Sequence, residues 1–335
     1  CKLYGKKFKK KIIMNWITDK IEKIKQKAKK IFKKQPVGQE TTDWKNCPQC
    51  KKISYKPDLF KNSYICECSF HFDMPPKLRL DSLFDSEYKM IEAPDINPDP
   101  LGFEVKDGAR EGYRYMDKVK KYRKTTGQVT ALLAASGNVS GLNAVVVCFN
   151  PKFGAGRFGP AESEHFLKAA NFAIEKKVDI WIVVYQSSGI DVHTGLVGLA
   201  GGMTKSVIAM KQVKEAGIPT FAVAARAVSG GTYASNFFMH DFIIIEHSSV
   251  ENLLFSGKRV TANILKGADA IPEDFGRADG VMKAGLADIT LENRKKLKET
   301  ITKLANIILK KQDLKTTDEA HENPEDFKKT ASTAS

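Results

Sequence analysis

No apolar run in the 335-residue chain approaches eighteen residues, so the sequence offers no membrane-spanning helix. The N-terminus is basic but has no apolar h-region, which removes a secretory signal from the reading. Several enzyme signatures are missing as well. There is no HExxH helix, no GxxxxGK[ST] phosphate loop and no Ser–His–Asp set. Cysteine is scarce: there are six, and four of them fall between positions 47 and 68. Without a signal, thiols clustered in this way are expected in the cytoplasm, as metal ligands in preference to disulfides. Cys1 and Cys148 are left over. Cys148 sits in the apolar run Ala144–Phe149, where a buried, inert thiol is expected.

What is present is globular. A hydrophobic fraction of 42% is ample for a core, and the length suits one large domain with appendages. The net charge of +15 would ordinarily point to nucleic acid, but its distribution argues otherwise. Residues 1–40 hold fourteen lysines against Asp19, Glu22 and Glu40, which is eleven of the fifteen net charges. The basic character therefore belongs to an appendage. From Trp16 to Phe32, Ile17, Ile21, Ile24, Ala28 and Ile31 recur at three- and four-residue spacing, one apolar stripe on a basic helix. Such a helix docks on a protein surface or meets an anionic polymer or lipid, and both readings stay open. The first methionine is Met14, the expected natural start, with 1–13 as an extension. The expected divisions are a basic segment 1–34, a linker 35–46, a zinc ribbon 47–72, a catalytic body 73–311 and a disordered tail 312–335.

Within the body, Pro75–Tyr88 reads as a short helix, Glu92–Gly112 as an irregular connection and Asp117–Lys124 as a basic helix. Val129–Ser136 and Leu142–Asn150 flank a Gly/Asn turn and read as a hairpin. Strands are then expected at Asp179–Tyr185, Ile218–Ala224 and Phe242–Glu246, with helices at Thr194–Glu215 and Thr232–Met239. The strands are continuous apolar runs, the pattern of a sheet covered on both faces. Leu291–Lys311 makes a closing helix through Leu297, Ile301, Leu304 and Ile308.

Two features carry chemistry. The first is Cys47-Pro-Gln-Cys50, fifteen residues, then Cys66-Glu-Cys68. Two short turns of this kind bring four thiolates onto one tetrahedral Zn²⁺, and four protein ligands leave no open position, so the metal would be structural. The second pair is one residue shorter than CxxC. His71 is near enough to replace Cys68, and a knuckle that holds no metal is the competing reading. The second feature is a set of glycine turns: Phe153-Gly-Ala-Gly-Arg-Phe-Gly159, Gln186-Ser-Ser-Gly-Ile-Asp191 and Val228-Ser-Gly-Gly-Thr-Tyr-Ala234. The last two join a strand to a helix, where free backbone N–H groups suit an anion or a developing oxyanion. The competing reading of each is a tight turn that needs glycine's positive φ. The first turn nominally fits GxGxxG but follows a hairpin and lacks the acidic residue of a dinucleotide site. Among the scattered histidines, His193 stands out because it closely follows a glycine turn.

The order of these pieces resembles the carboxyltransferase β subunit of bacterial and plastid acetyl-CoA carboxylase, from Met14-Asn-Trp-Ile to about Lys311. Beside the knuckle, the resemblance rests on Arg79-Leu-Asp-Ser-Leu-Phe-Asp85, Gly154-Ala-Gly-Arg-Phe-Gly159, Ser229-Gly-Gly-Thr-Tyr-Ala-Ser235, Phe255-Ser-Gly-Lys-Arg259 and Gly280-Val-Met-Lys-Ala-Gly-Leu-Ala-Asp288. It implies an α/β, crotonase-like (ClpP/crotonase) ββα superhelix preceded by a four-cysteine zinc ribbon on Cys47, Cys50, Cys66 and Cys68. It implies transfer of CO₂ from carboxybiotin to acetyl-CoA, giving malonyl-CoA for fatty acid synthesis. The biotin rides on a carrier protein charged by biotin carboxylase, and an α subunit supplies the biotin half of the site, in an expected α2β2 assembly. Because biotin itself takes the α-proton in this family, no triad is needed. The implied oxyanion donors are the N–H groups of Ser188, Gly189 and Ile190, with acyl-CoA contacts at Gly156, Gly230, Gly231, Gly257 and Arg259. The family's Ser-Gly-Gly-Ala-Arg run is here Ser187-Ser-Gly-Ile-Asp191. Asp191 reverses a positive charge and would repel an enolate unless shielded or turned away. That departure and the basic N-terminus motivate the alternative: a non-catalytic paralogue that assembles with the α subunit or binds RNA.

Overall fold

The computed structural model describes residues 43–105, 112–265, 267 and 271–321. The basic segment 1–34 and most of the linker lie outside the described residues. Strands β1 (Trp44–Asn46) and β2 (Ile53–Tyr55) make a small antiparallel ribbon, followed by the short helices α1 (Lys56–Lys61) and α2 (Pro76–Leu83). After β3 (Lys89–Ile91) come the paired strands β4 (Glu104–Val105) and β5 (Tyr113–Arg114) and helix α3 (Tyr115–Thr126). The body continues through β6 (Leu132–Val139), β7 (Leu142–Phe149), α4 (Pro160–Glu175), β8 (Ile180–Ser187), α5 (Thr204–Glu215) and β9 (Thr220–Ser229). Then follow α6 (Gly230–Ala234), β10 (Phe242–Ile245), β11 (Leu253–Leu254), α7 (Lys258–Ile264), α8 (Ala278–Lys283), β12 (Ile289–Thr290) and α9 (Leu297–His321).

Eight strands form one sheet in the order β12-β10-β9-β8-β7-β6-β3, with β11 also paired to β9. The strands from β7 to β12 run parallel, and β6 and β3 are antiparallel to their neighbours. All eight residues of β8 are buried, because both faces of the sheet are covered. One face packs Trp181, Val183 and Tyr185 against Phe166, Ala169, Ala173, Met210 and Val213 of helices α4 and α5. The other packs Ile180, Ile182, Val184 and Cys148 with Leu80, Leu83, Leu297 and Ile301 of α2 and α9. Burial pushes the Cys148 thiol up to about 12, the inert state expected of it. Among the described residues no helix is long and apolar enough to cross a membrane.

The run Arg79–Asp85 after the ribbon has three separate jobs. Leu80, Leu83 and Phe84 enter the core. Arg79 reaches Glu246 at the end of β10, and Asp85 accepts the N–H groups of Ser140 and Gly141 at 2.9 and 2.8 Å in the hairpin turn. That turn is Ser140-Gly141, inside the expected connection between Ser136 and Leu142, and β6 runs on to Val139. Helix α4 was not anticipated. Its start is nonetheless well marked: Pro160 stands at the first helical position, and Glu162 accepts the Gly159 N–H at 3.0 Å. The expected helix over Thr194–Glu215 breaks into three pieces, a 3₁₀ turn at Val192–Thr194, a π-helical segment at Val197–Met203 and α5. Gly198, Gly201 and Gly202 loosen the ladder there. Helix α9 starts six residues later than expected and continues past Lys311 to His321, since no Pro or Gly interrupts Gln312–His321.

Candidate functional site

The four knuckle cysteines converge. Cys47 Sγ lies 3.6 Å from Cys68 Sγ, and Cys50 Sγ lies 3.7 Å from Cys66 Sγ. All four sulfurs fall within 4.8 Å of one another. Sulfurs held at about 2.3 Å on a tetrahedral ion stand about 3.8 Å apart, so the donor set fits one metal ion. Residues with positive φ, Lys51 and Ser69, close the two turns, and the Lys51 and Ser69 N–H groups reach the carbonyls of Cys47 and Cys66 at 2.9 Å. The shorter CxC half therefore presents both of its sulfurs. Burial raises the Cys47 thiol, but the N–H groups of Cys50 and Gln49 outweigh it and bring it down to about 7. Cys68 is pushed up to about 12, first by burial.

His71 does not take a place among the cysteines. It is buried against His247, with ring centroids 4.0 Å apart, and with Glu246 these side chains form a second close cluster. Glu246 is committed there to Arg79 and Arg294, so its carboxylate serves as an ion-pair node. The same Arg294 donates to the carbonyls of Phe72 at 2.9 Å and Ser63 at 3.3 Å. Body and knuckle are thus fastened through one guanidinium.

The glycine turns meet at the C-terminal ends of the parallel strands β8 and β9, where ligands of α/β sheets commonly bind. Gly156 has φ +66°, and a Cβ built on it would fall 1.8 Å from the Gln186 carbonyl oxygen. Gly189 has φ +101°, and its Cβ would meet Ser229 O at 2.7 Å and Gly230 Cα at 3.0 Å. Only glycine permits either approach. A Cβ on Gly231 would strike Ile190. Side chains complete the seam: Ser187 Oγ donates to Thr232 Oγ1 at 3.1 Å.

The three amides expected as oxyanion donors differ in their commitments. Ser188 N–H donates to Ala155 O at 3.0 Å, and Gly189 N–H donates to Ser187 Oγ at 3.1 Å. Ile190 N–H has no acceptor among the described residues; the backbone bonds on either side of it run from Phe158 N–H to Gly189 O and from Asp191 N–H to Phe158 O. Gly230 and Gly231 open α6, whose first amides have no acceptor inside the helix. Gly257 precedes α7, and nothing stands within 4 Å of a Cβ built there. The side chain of Arg259 is outside the described residues.

Asp191 is shielded. It is 6% exposed and is held by the buried Arg157, which comes from the first glycine turn. Tyr115 OH donates to the same Asp191 Oδ2 at 3.1 Å. The guanidinium sits 5.1, 5.4 and 5.7 Å from the ring centres of Tyr115, Phe153 and Tyr122. Asp191 Oδ1 faces His193, accepting from its backbone N–H at 3.1 Å and lying 2.9 Å from its Nδ1. The charge reversal at position 191 is thus compensated from another turn. Sequence reading missed Arg157 and Tyr115, because nothing local ties them to Asp191.

A parallel-stranded α/β body whose glycine turns present free amides at the strand ends, led by a four-cysteine ribbon, defines a carboxyltransferase of the crotonase-like class. Residues 113–334 match the carboxyl transferase domain family. The chain is 34% identical over 285 residues to the acetyl-coenzyme A carboxylase carboxyl transferase subunit beta of Sulfurihydrogenibium sp., covering 84% of this chain and 94% of that one. It is 30% identical to the subunit of the same name from Pelagibacter ubique, covering 89% and 93%. Among solved structures, transcarboxylase 12S with methylmalonyl-coenzyme A and methylmalonic acid bound superposes with a TM-score of 0.53 at 19% identity, over 69% of this chain and 41% of that one. A Pseudomonas malonate decarboxylase hetero-tetramer in complex with malonate gives a TM-score of 0.53 at 16% identity, over 71% and 82%. The chain belongs to the family of acetyl-CoA carboxylase carboxyltransferase β subunits.

Proposed function

We propose that this chain binds acetyl-CoA and accepts a carboxyl group onto its acetyl carbon from carboxybiotin, giving malonyl-CoA for fatty acid synthesis in the cytoplasm. Biotin arrives on a carrier protein charged by biotin carboxylase, and a carboxyltransferase α subunit completes the site in an α2β2 assembly. The observation that carries this reading is the seam of Gly156, Gly189 and Gly230, with the Ile190 amide free beside it. Enolate formation places negative charge on the thioester oxygen, and preorganised N–H donors stabilise that charge in a water-poor site. Ile190 N–H is the donor of the Ser188–Ile190 turn, and Gly230 and Gly231 lie across the seam from it. Glycines 156, 189 and 231 let the turns pack directly against Gln186, Ser229 and Ile190, which fixes the Ile190 amide where the thioester oxygen would lie.

Residues 73–311 form the catalytic body in this reading, and residues 47–72 hold a structural zinc ion on Cys47, Cys50, Cys66 and Cys68. The sulfur spacing supports zinc. Mixing the purified chain with a cognate α subunit, malonyl-CoA and biocytin is expected to release acetyl-CoA. An α–β complex that forms yet turns over none of several acyl-CoAs would refute the proposal.

A further inference from the structure

A carboxylate stands one residue from the free Ile190 amide, and every polar group of that residue is engaged. Asp191 N–H donates to Phe158 O at 3.0 Å, and its carbonyl accepts the Thr194 N–H at 3.1 Å and the Thr194 hydroxyl at 2.7 Å. Its Oδ2 meets Arg157 and accepts from Tyr115 OH at 3.1 Å, and its Oδ1 accepts from the His193 N–H at 3.1 Å. On the other side of Ile190, Gly189 O accepts the Phe158 N–H at 2.9 Å. Ile190 and Phe158 thus form a short parallel bridge, and the Arg157–Asp191 pair adjoins it on both segments. The arginine itself is enclosed by the rings of Tyr115, Phe153 and Tyr122. Behind it Glu162 fixes the start of α4, accepting the N–H groups of Gly159 and Ala131 at 3.0 and 2.9 Å.

A buried ion pair adds little net stability over apolar side chains of the same size, because desolvation offsets the attraction. What it supplies is direction, since a guanidinium fork and a carboxylate meet in few geometries. Resting on the acyl-CoA reading of this seam, we propose that Arg157, Asp191 and Tyr115 are positioning residues that hold the Ile190 N–H on the thioester oxygen as it becomes an oxyanion. All three side chains are buried, so they act through the backbone of the turn and not on the reacting atoms. None of them gains or loses a proton. The clamp works in two ways. It ties the turn after β8 to the first glycine turn, so the amide is aimed before charge develops. It also cancels the Asp191 charge, which would otherwise oppose the enolate from one residue away.

The test uses the complex reconstituted with a cognate α subunit. The double variant R157M/D191N removes both charges together, so no buried charge is left unpaired, while the fork that aims the turn is lost. The expected result is a kcat for acetyl-CoA release from malonyl-CoA and biocytin lower by about 100-fold, with KM for malonyl-CoA changed less than about threefold. R157K, which keeps the charge, should recover part of that loss. A CoA thioether ending in a nitroalkane separates aiming from folding, because its nitronate mimics the enolate. Its affinity should fall about 100-fold in the double variant while acetyl-CoA affinity stays within about threefold. Should the double variant fail to fold, Y115F keeps both charges and the ring packing, and should show the same split at about tenfold. Wild-type kcat and nitronate affinity in the variant would overturn the assignment, as would an equal loss of acetyl-CoA and nitronate affinity. A wild-type complex that neither binds nor turns over any acyl-CoA would instead remove the reading on which it rests.

Discussion

Arg157 and Asp191 form a buried ion pair, with side chains 5% and 4% exposed, one residue beyond the Ile190 amide. Removing one member leaves the other's charge buried without compensation, which typically costs about 3–5 kcal/mol. Arg157→Met should therefore lower the unfolding free energy by about that amount in urea titrations. Adding Asp191→Asn to that variant should restore part of the loss. A stability for Arg157→Met within about 0.5 kcal/mol of wild type would show that the carboxylate finds water or another partner.

Gly156→Ala is expected to be severe. The new Cβ would fall 1.8 Å from the Gln186 carbonyl oxygen at φ +66°, so the turn or β8 must shift to admit it. Gly127, with φ +69° and nothing within 4 Å of its Cβ position, is the matched control. Alanine there should cost about 1 kcal/mol, and alanine at 156 about 3 kcal/mol or more, from overpacking added to backbone strain. Equal losses at the two sites would mean that the first turn relaxes away from β8.

Three buried histidines make stability depend on acid. Burial is the first cause in each case, bringing His71 and His240 down to about 4 and His247 to about 3. Neighbouring Arg294 adds to the effect at His71 and His247. The unfolded chain binds these protons near pH 6.5 and the folded chain does not, so stability is full above about pH 6.5 and falls as pH drops toward 4. Urea midpoints at pH 7.0 and 4.5 should differ by several kcal/mol of unfolding free energy. A flat profile across that window would contradict the burial of the three rings.

Metal analysis of the purified chain should give one zinc per chain. Chelation at pH 7 should then release amide protection over residues 47–72 while β7, β8 and β9 stay protected, because the sheet has its own core. A zinc ratio well below one would leave the knuckle to its small core of Leu59 and Phe72 and to the bonds from Arg294 and Lys295.

The strands β7, β8, β9 and β10 were readable because burial on both faces writes an unbroken apolar run. The knuckle was readable because its ligands are close in sequence. The seam was half readable: each glycine turn was visible, but that Gly156 abuts Gln186 and Gly189 abuts Ser229 is a property of strands brought together by crossovers. Asp191 is the sharpest case. Read alone it is a misplaced negative charge, and its partner Arg157 lies thirty-four residues earlier with no periodicity to link them. The commitment of the Ser188 and Gly189 amides was equally hidden, since their acceptors are Ala155 O and Ser187 Oγ. Helix α4 was different, for its Pro160–Glu162 start and the spacing of Phe166, Ala169, Ala170 and Ala173 stood in plain view.

The acyl-CoA seam is tested most directly by acetyl-CoA release from malonyl-CoA and biocytin, compared for wild type and Gly189→Ala at equal α-subunit occupancy. An alanine Cβ at 189 must push the Ser229–Gly231 turn away and misplace the donors around Ile190. Wild type should turn over, and the variant should be slower by about 100-fold or more, the usual effect of losing one oxyanion donor. Equal rates in the two complexes would contradict the placement of the thioester oxygen at this seam.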